Sequence, residues 1–86
     1  MTKEQEKAIR IIKTARGQLD GIIKMIEEGR YCIDISNQLL ASISLLKGAN
    51  VSILNGHLKH CIKNEKNDDK LDDKIDEVVN VLRKLS

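Results

Sequence analysis

The sequence predicts an all-α protein of three helices, in which a long antiparallel helical hairpin is followed by a shorter carboxy-terminal helix. The chain has no proline and one aromatic residue, and its hydrophobic content of 41% comes mostly from aliphatic side chains. Apolar residues recur at the spacing of an α-helix in three segments, which are separated by short polar connections. A chain of 86 residues forms one small domain, so we treat residues 1–86 as a single unit.

The first helix is predicted from about Thr2 to Glu28, with Gly29 as its C-cap. Its apolar residues form one stripe with three neighbours beside it: Ile11, Ala15, Leu19, Ile22 and Ile26, with Ala8, Ile12 and Ile23. Its basic residues lie opposite, within an arc of about 120°, with one arginine at the flank: Lys3, Lys7, Arg10 and Lys13, then Arg16. Residues 1–16 hold five basic and two acidic side chains, so this face is a candidate for binding a polyanion.

The second helix is predicted from about Ile33 to Ile62, which is roughly 30 residues or about 45 Å. Its apolar stripe is helical in period: Ile35, Leu39, Ile43, Leu46, Ile53 and Leu54. A compact chain of this size has a radius of gyration of about 12 Å, so the helix would extend beyond its own domain. We therefore expect a second subunit to cover it, which gives a dimer built as a four-helix bundle.

The third helix is predicted from about Asp69 to Lys84, after a polar linker with the sequence KNEKNDDK. Asn67 or Asp68 is expected to cap it. This end of the chain is acidic, because residues 65–77 hold seven acidic side chains against three lysines. A basic beginning and an acidic end indicate one surface for a polyanion and another kept away from it.

Composition also limits the function classes. The amino terminus lacks an apolar stretch of the kind found in signal peptides, and no uninterrupted apolar run approaches the length of a membrane span. We expect a cytoplasmic protein with no membrane partner, whose two cysteines are thiols rather than a disulfide. No catalytic motif or nucleophile-base-acid set is found, so we expect neither an enzyme nor a small-molecule substrate. A single tyrosine cannot supply the stacking surfaces that single-strand binders use, so duplex DNA is the favoured polyanion.

The stretch HLKHC places His57 and Cys61 four residues apart, on one face of the second helix. Taken alone, this pair is more often part of an ordinary core than of a metal site. Cys32 lies on the same narrow stripe, but about 37 Å from His57 and about 43 Å from Cys61 along a straight helix. Two antiparallel copies would bring these residues together in two equivalent sites, each with Cys32 of one subunit and His57 and Cys61 of the other.

Two thiolates and one imidazole form a soft ligand set, which suits Cu(I), or Zn(II) with a fourth ligand. His60 is the possible fourth ligand. Around the helix axis, His60 lies about 60° from His57 and outside the stripe. We therefore expect it to face solvent or phosphate instead.

Three stretches of the chain resemble the copper-sensing branch of the CsoR/RcnR family of bacterial repressors: KTARGQLDGIIKMIEEGRYCIDI, NQLLASISLL and HLKHC. The resemblance runs from about Ile9 to Leu82, and the spacing of Cys32, His57 and Cys61 matches the family's copper site. The nickel and cobalt sensors have a histidine near the amino terminus and another in place of Cys61. The persulfide sensors lack the histidine at position 57, and the formaldehyde sensors use an amino-terminal proline, so the copper pattern fits best.

The resemblance implies a Cu(I)-responsive repressor that binds operator DNA when free of metal, as a dimer or a dimer of dimers, and releases it on Cu(I) binding. It also implies that Tyr31 and Glu77 lie just outside the ligands, where Glu77 would accept the proton of the free ring nitrogen of His57. Two alternatives stay open. One is a repressor of the same fold that senses persulfide or redox state through its cysteines, and the other is a cytosolic metal-binding protein that binds no DNA.

The candidate DNA contacts are the basic residues of the first helix and one lysine of the second: Lys3, Lys7, Arg10, Lys13, Arg16 and Lys47. A solvated face is the alternative interpretation of such a charge run. The chain departs from the family pattern at Gly48, where the copper sensors have an arginine implicated in DNA binding. Lys47 is expected to compensate in part.

Overall fold

A computed structural model describes the backbone of residues 1–85 and their side chains, apart from the side chains at positions 61 and 62. Within this range the chain forms three helices and no strand, which confirms the all-α prediction. The helices are α1 (Lys3–Glu27), α2 (Cys32–Asn64) and α3 (Asp68–Leu85). Their bounds differ from the predicted ones by two residues or fewer at each end.

The beginning of α1 is held by a capping box. The side chain of Thr2 accepts a hydrogen bond from the backbone N–H of Gln5 at 3.0 Å, and the side chain of Gln5 accepts one from the backbone N–H of Thr2 at 2.9 Å. Both bonds satisfy N–H groups that have no partner within a helix's first turn. The first turn of α1 is therefore well defined.

A tight turn joins α1 to α2. The backbone N–H of Arg30 donates to the carbonyl of Met25, and that of Gly29 donates to the carbonyl of Ile26. This is the Schellman pattern, and it requires a left-handed residue, which Gly29 supplies at φ 71°. The predicted stop at Gly29 is confirmed, and the turn makes α1 and α2 an antiparallel hairpin.

Small residues form the contact between α1 and α2. Ala8, Ala15 and Ile22 are buried on α1 at intervals of seven residues, and Ser42, Ala49 and Ser52 are buried on α2. The Ser42 hydroxyl donates to the side-chain oxygen of Gln18 at 2.9 Å. Small side chains let two helices approach closely, and the Ser42 bond sets their register.

The third helix is capped by Asn67, whose side chain accepts hydrogen bonds from the backbone N–H groups of Asp69 and Lys70 at 3.0 and 3.3 Å. Asn67 is thus the cap that the sequence allowed. The predicted polar linker was too long, because its two ends are helical and only residues 65–67 are not. Glu65 stabilises this three-residue connection. Its carboxylate accepts a hydrogen bond from the backbone N–H of Asn67 and forms an ion pair with Lys74 at 3.5 Å.

Among the described residues, α3 packs against α2 and not against α1. Val78 is the buried residue of α3. It lines a small cavity of about 180 Å³ together with Leu54 and Leu58 of α2. The third helix therefore has contact with the first only by way of the second.

The molecule is elongated, at 56 × 25 × 12 Å with a radius of gyration of 17.1 Å, against about 12 Å for a compact chain of this length. Much of its apolar surface is consequently uncovered. Of the stripe predicted on α1, Leu19 and Ile26 are exposed, as are Leu39, Ile43, Leu46 and Ile53 of the stripe predicted on α2. The stripe predicted on α2 therefore lies mostly on surface that a single chain leaves open, whereas Ala15 and Ile22 of the α1 stripe are buried.

The chain has no uninterrupted apolar run of membrane-spanning length, as expected, but one of its helices is apolar on average. By length and composition alone, Cys32–His60 is long and apolar enough to span a membrane, and only 17% of its most apolar window is buried inside the chain. The uninterrupted-run criterion missed this segment because serines, asparagines and Lys47 interrupt its aliphatic residues. Such a helix is also found in soluble proteins where a partner covers it.

Candidate functional site

The first candidate ligand, Cys32, is exposed and is the first residue of α2. Tyr31 precedes it, and its carbonyl accepts the first backbone hydrogen bond of that helix, from Ile35 at 3.2 Å. The side chain of Tyr31 is itself 69% exposed. A large aromatic side chain is therefore presented beside the thiol, where a partner could cover both.

The second candidate ligand, His57, lies near the other end of α2 and is exposed. It lines a cavity of about 320 Å³ with His60 and with the capping residues Thr2 and Gln5 of α1. The backbone of Cys61 continues the same helix, but its side chain lies outside the described part of the structure.

One chain does not bring the predicted ligands together. The helix is continuous from Cys32 to Asn64, so 25 residues separate Cys32 from His57 by about 37 Å. Among the side chains that the structure describes, no group of three histidine, cysteine or acidic residues could hold a metal ion. A site made from the predicted ligands must include a second chain.

Cys32 and His57 lie on an exposed apolar side of the hairpin. On α2, Leu39 and Ile43 fall within about 40° of Cys32 and His57, and these two side chains are 41% and 47% exposed. A cavity of about 390 Å³ connects α2 to the neighbouring flank of α1 at Ile53, Ile9 and Ile12. We call the surface formed by Ile9, Ile12, Leu39, Ile43 and Ile53 the apolar side.

The second histidine of HLKHC is engaged locally. The side-chain amide of Asn64 donates to the backbone carbonyl of His60 at 3.0 Å, which identifies the amide nitrogen, and the same nitrogen lies 3.1 Å from Nδ1 of His60. That nitrogen can only donate, so Nδ1 of His60 is the acceptor in this arrangement. His60 thus has a local partner at Nδ1, and the expectation that it does not coordinate the metal stays a prediction.

Glu77 is exposed on α3 and adjoins the buried Val78. Because Val78 and Leu58 line one cavity, Glu77 lies on the helix that packs against the segment carrying His57. A hydrogen bond between Glu77 and His57 stays a prediction.

Every basic residue predicted to contact DNA is exposed, and the structure adds a groove to this surface. Lys3 and Lys7 line an open groove of about 370 Å³ with Gly48 and Asn55 of α2. We call this surface, formed by Lys3, Lys7, Gly48 and Asn55, the basic side. By helical spacing it lies across the hairpin from the apolar side.

The position of Gly48 bears on the expected compensation by Lys47. Gly48 borders the groove, and a methyl group added there would meet nothing within 4 Å. Lys47 is exposed but does not line the groove, because adjacent helical residues point about 100° apart. Lys47 is therefore a charge separate from the groove, and its partial compensation for Gly48 in DNA binding stays a prediction.

Sequence reasoning missed a close contact between the first turn of α1 and α2. The Ser52 hydroxyl donates to the backbone carbonyl of Glu4 at 2.9 Å, and Lys59 Nζ lies 3.1 Å from Glu4 Oε1. A methyl group at Gly56 would lie only 2.8 Å from the Cβ of Glu4. The available signal was a glycine within the apolar pattern of a long helix, which often marks a close approach of two backbones.

The pKa of the Glu4 carboxyl is also lowered in the folded chain. A hydrogen bond from its own backbone N–H, followed by the one from Lys59, lowers the pKa of the Glu4 carboxyl below its usual value of 4.5. The negative charge of Glu4 is therefore held against Lys59, which reduces its effect on the neighbouring basic side.

Cysteine and histidine side chains on an apolar surface suit a soft metal ion. Thiolate and imidazole are ligands that Cu(I) accepts in low coordination number. Covering the apolar side with another chain would also exclude water from such a site. In chemistry and position, Cys32 and His57 fit a copper site between subunits, and the backbone position of Cys61 is compatible with it.

Comparison with known proteins gives a consistent family. Residues 4–84 match the family model described as "Metal-sensitive transcriptional repressor". The chain is 39% identical to the copper-sensing transcriptional repressor CsoR of Mycobacterium ulcerans over 83 residues, covering 96% of this chain and 71% of that protein. The corresponding protein of Mycobacterium tuberculosis is 34% identical over 96% and 70%. That of Bacillus subtilis is 29% identical over 99% and 84%.

Proposed function

Because the chain belongs to the family of metal-sensitive transcriptional repressors, we propose that it represses transcription in response to Cu(I). In its metal-free form the protein binds operator DNA, and it releases the DNA when Cys32, His57 and Cys61 ligate Cu(I). The similar proteins named as copper-sensing repressors support the choice of metal. The repressor acts in the cytoplasm and carries out no catalytic step.

The observation that carries this proposal is the shared position of Cys32 and His57 on the exposed apolar side, at opposite ends of α2. An antiparallel second copy that covers this side would place Cys32 of one subunit beside His57 and Cys61 of the other. Burial of the aliphatic side chains would drive the association at roughly 25 cal/mol per Å² of apolar surface. The same dimer would complete the metal site and cover the apolar length of α2.

In this dimer the basic side of each hairpin faces outward. Lysine and arginine side chains on such a surface bind the DNA backbone, and their contacts weaken as the salt concentration rises. A dimer of dimers would multiply the basic surface, as the family resemblance implies. Contact with duplex DNA would then extend over several subunits.

Regulation follows from thermodynamic linkage. If ligation of Cu(I) favours a dimer shape that fits DNA less well, the two ligands oppose each other by one coupling free energy. Cu(I) then lowers the DNA affinity by the same factor by which DNA lowers the Cu(I) affinity. Such factors are typically about 5-fold to 150-fold.

The test begins with duplex DNA that the apo protein selects from a random library. The complex of protein and selected DNA is then titrated with Cu(I) under anaerobic conditions. We expect release of DNA at one Cu(I) per subunit, and X-ray absorption that shows two sulfur ligands and one nitrogen ligand. Unchanged DNA binding in the Cu(I)-saturated protein would refute the proposal.

Two variants distinguish the alternative functions. His57→Ala should weaken Cu(I) binding and leave disulfide formation between the cysteines unaffected. If the protein were a thiol sensor, the variant would keep its full response to oxidants, and Cu(I) would not regulate it. Reversing the charges of Lys7, Arg10 and Lys13 should abolish DNA binding and preserve Cu(I) binding. A metal-binding protein without a DNA partner would show no selected DNA sequence at all.

A further inference from the structure

A close contact outside the predicted site joins the first turn of α1 to the α2 segment that carries His57. Glu4 makes each interaction of this contact. Its carbonyl accepts a hydrogen bond from Ser52, its carboxylate pairs with Lys59, and its Cβ packs against Gly56. Ser52 is buried, with 7% of its surface exposed. The contact is packed closely enough that the α2 segment cannot move by much without displacing Glu4.

The metal and DNA surfaces both adjoin this contact. His57 lies between Gly56 and Lys59 in sequence, and it shares a cavity with Thr2 and Gln5 on either side of Glu4. Lys3, the neighbour of Glu4, lines the groove of the basic side. Glu4 is therefore placed between a candidate ligand and the candidate DNA surface.

Within one chain, α3 does not connect the candidate ligands to the basic side in the same direct way. The third helix packs on α2 and, in the described part of the chain, makes no contact with α1. A movement of α3 would thus have to return through α2 to reach the basic residues of α1.

We propose that Glu4 is a positioning residue that transmits ligation at His57 and Cys61, through Gly56 and Lys59, to the basic side of α1. This inference rests on the proposed function. In it, a rotation or shift of the Gly56–Cys61 segment on ligation carries the first turn of α1 with it. Lys3 and Lys7 then no longer match the spacing of the DNA phosphates.

The experiment measures how strongly Cu(I) and DNA oppose each other in variants of this contact. Affinity for DNA selected by the apo protein is determined by fluorescence anisotropy, with and without Cu(I), under anaerobic conditions. The variants are Glu4→Gln, Lys59→Met and the exchanged pair Glu4→Lys with Lys59→Glu. Glu6→Gln is the matched control, because it removes the same charge from the same turn at an exposed position.

We expect Glu4→Gln and Lys59→Met each to reduce the ratio of apo to Cu(I)-loaded DNA affinity at least about fivefold. Their Cu(I) affinity without DNA, measured by competition with a chelator, should stay within about twofold of the wild type. The exchanged pair should recover the wild-type ratio, and Glu6→Gln should retain it. A purely structural role would lower the melting temperature without changing the ratio.

The outcomes separate this inference from the proposed function. A wild-type ratio of one overturns the proposed function and this inference with it. A wild-type ratio above one that persists in Glu4→Gln and Lys59→Met overturns this inference alone.

Discussion

Cys32 and His57 lie on one face of α2, but 25 residues of continuous helix hold them about 37 Å apart. The face they share is the exposed apolar side, which includes Leu39 and Ile43 between them. A single chain can therefore neither bury this surface nor complete a metal site with these residues. An antiparallel second copy would both cover this surface and complete the metal site.

Two glycines of α2 should respond in opposite ways to the same substitution. Gly48→Ala should raise the free energy of unfolding by about 0.5–1 kcal/mol, because alanine favours the helix and nothing lies within 4 Å of the new methyl group. Gly56→Ala should lower it by about 1 kcal/mol or more, since its methyl group would lie 2.8 Å from the Cβ of Glu4.

Urea denaturation of both variants at one protein concentration provides the measurement, because the stability of an oligomer depends on concentration. Equal effects at the two positions would contradict the close approach of α1 and α2 at Gly56.

Gly48→Arg should strengthen DNA binding. The groove beside Gly48 is open and already lined by Lys3 and Lys7, so an added guanidinium would extend the basic side. One additional phosphate contact should make the plot of log affinity against log salt steeper by about one. Gly48→Gln is the control, because it adds a long side chain without charge and should leave the slope as it is. A slope that arginine does not change would mean that position 48 does not face DNA.

The pairing of Glu4 with Lys59 should make part of the stability depend on pH. The pKa of Glu4 is lowered below 4.5 in the folded protein, first by its own backbone N–H and then by Lys59. A lowered folded-state pKa stabilises the protein fully above the unfolded-state value, and this contribution disappears as the pH falls through the folded-state value.

Melting temperatures of the wild type and Glu4→Gln should therefore differ near neutral pH and converge as the pH falls below 4.5. Lys59→Met should reduce the same difference, because it removes the partner of the carboxylate. A difference between wild type and Glu4→Gln that does not diminish in acid would contradict the ionised pair.

The elements of the fold could be predicted because each has a clear local signal. Gly29 supplies the left-handed turn, Asn67 caps α3, and the apolar periodicity locates all three helices. The contact between α1 and α2 could not be predicted in this way. On α1 the predicted apolar residues Ala8, Ala15 and Ile22 are buried, but on α2 the contact uses Ser42, Ala49 and Ser52, which the predicted stripe omitted.

The candidate site, too, could be predicted only in part. The positions of Cys32 and His57 on one face follow from helical spacing, so they could be obtained from the sequence. The contact of Glu4 with Ser52, Gly56 and Lys59 depends on the register of two helices, which spacing within one helix does not contain.

The most direct test of the intersubunit site is a mixed dimer of Cys32→Ala and His57→Ala chains, isolated by two different affinity tags. Each variant alone should lack both tight Cu(I) sites of its dimer, because every site loses one ligand. In the mixed dimer both substitutions fall in one site, and the other retains Cys32 from one chain and His57 and Cys61 from its partner. An anaerobic competition titration should therefore find one tight Cu(I) site per mixed dimer, whereas a mixed dimer with none would contradict a site shared between subunits.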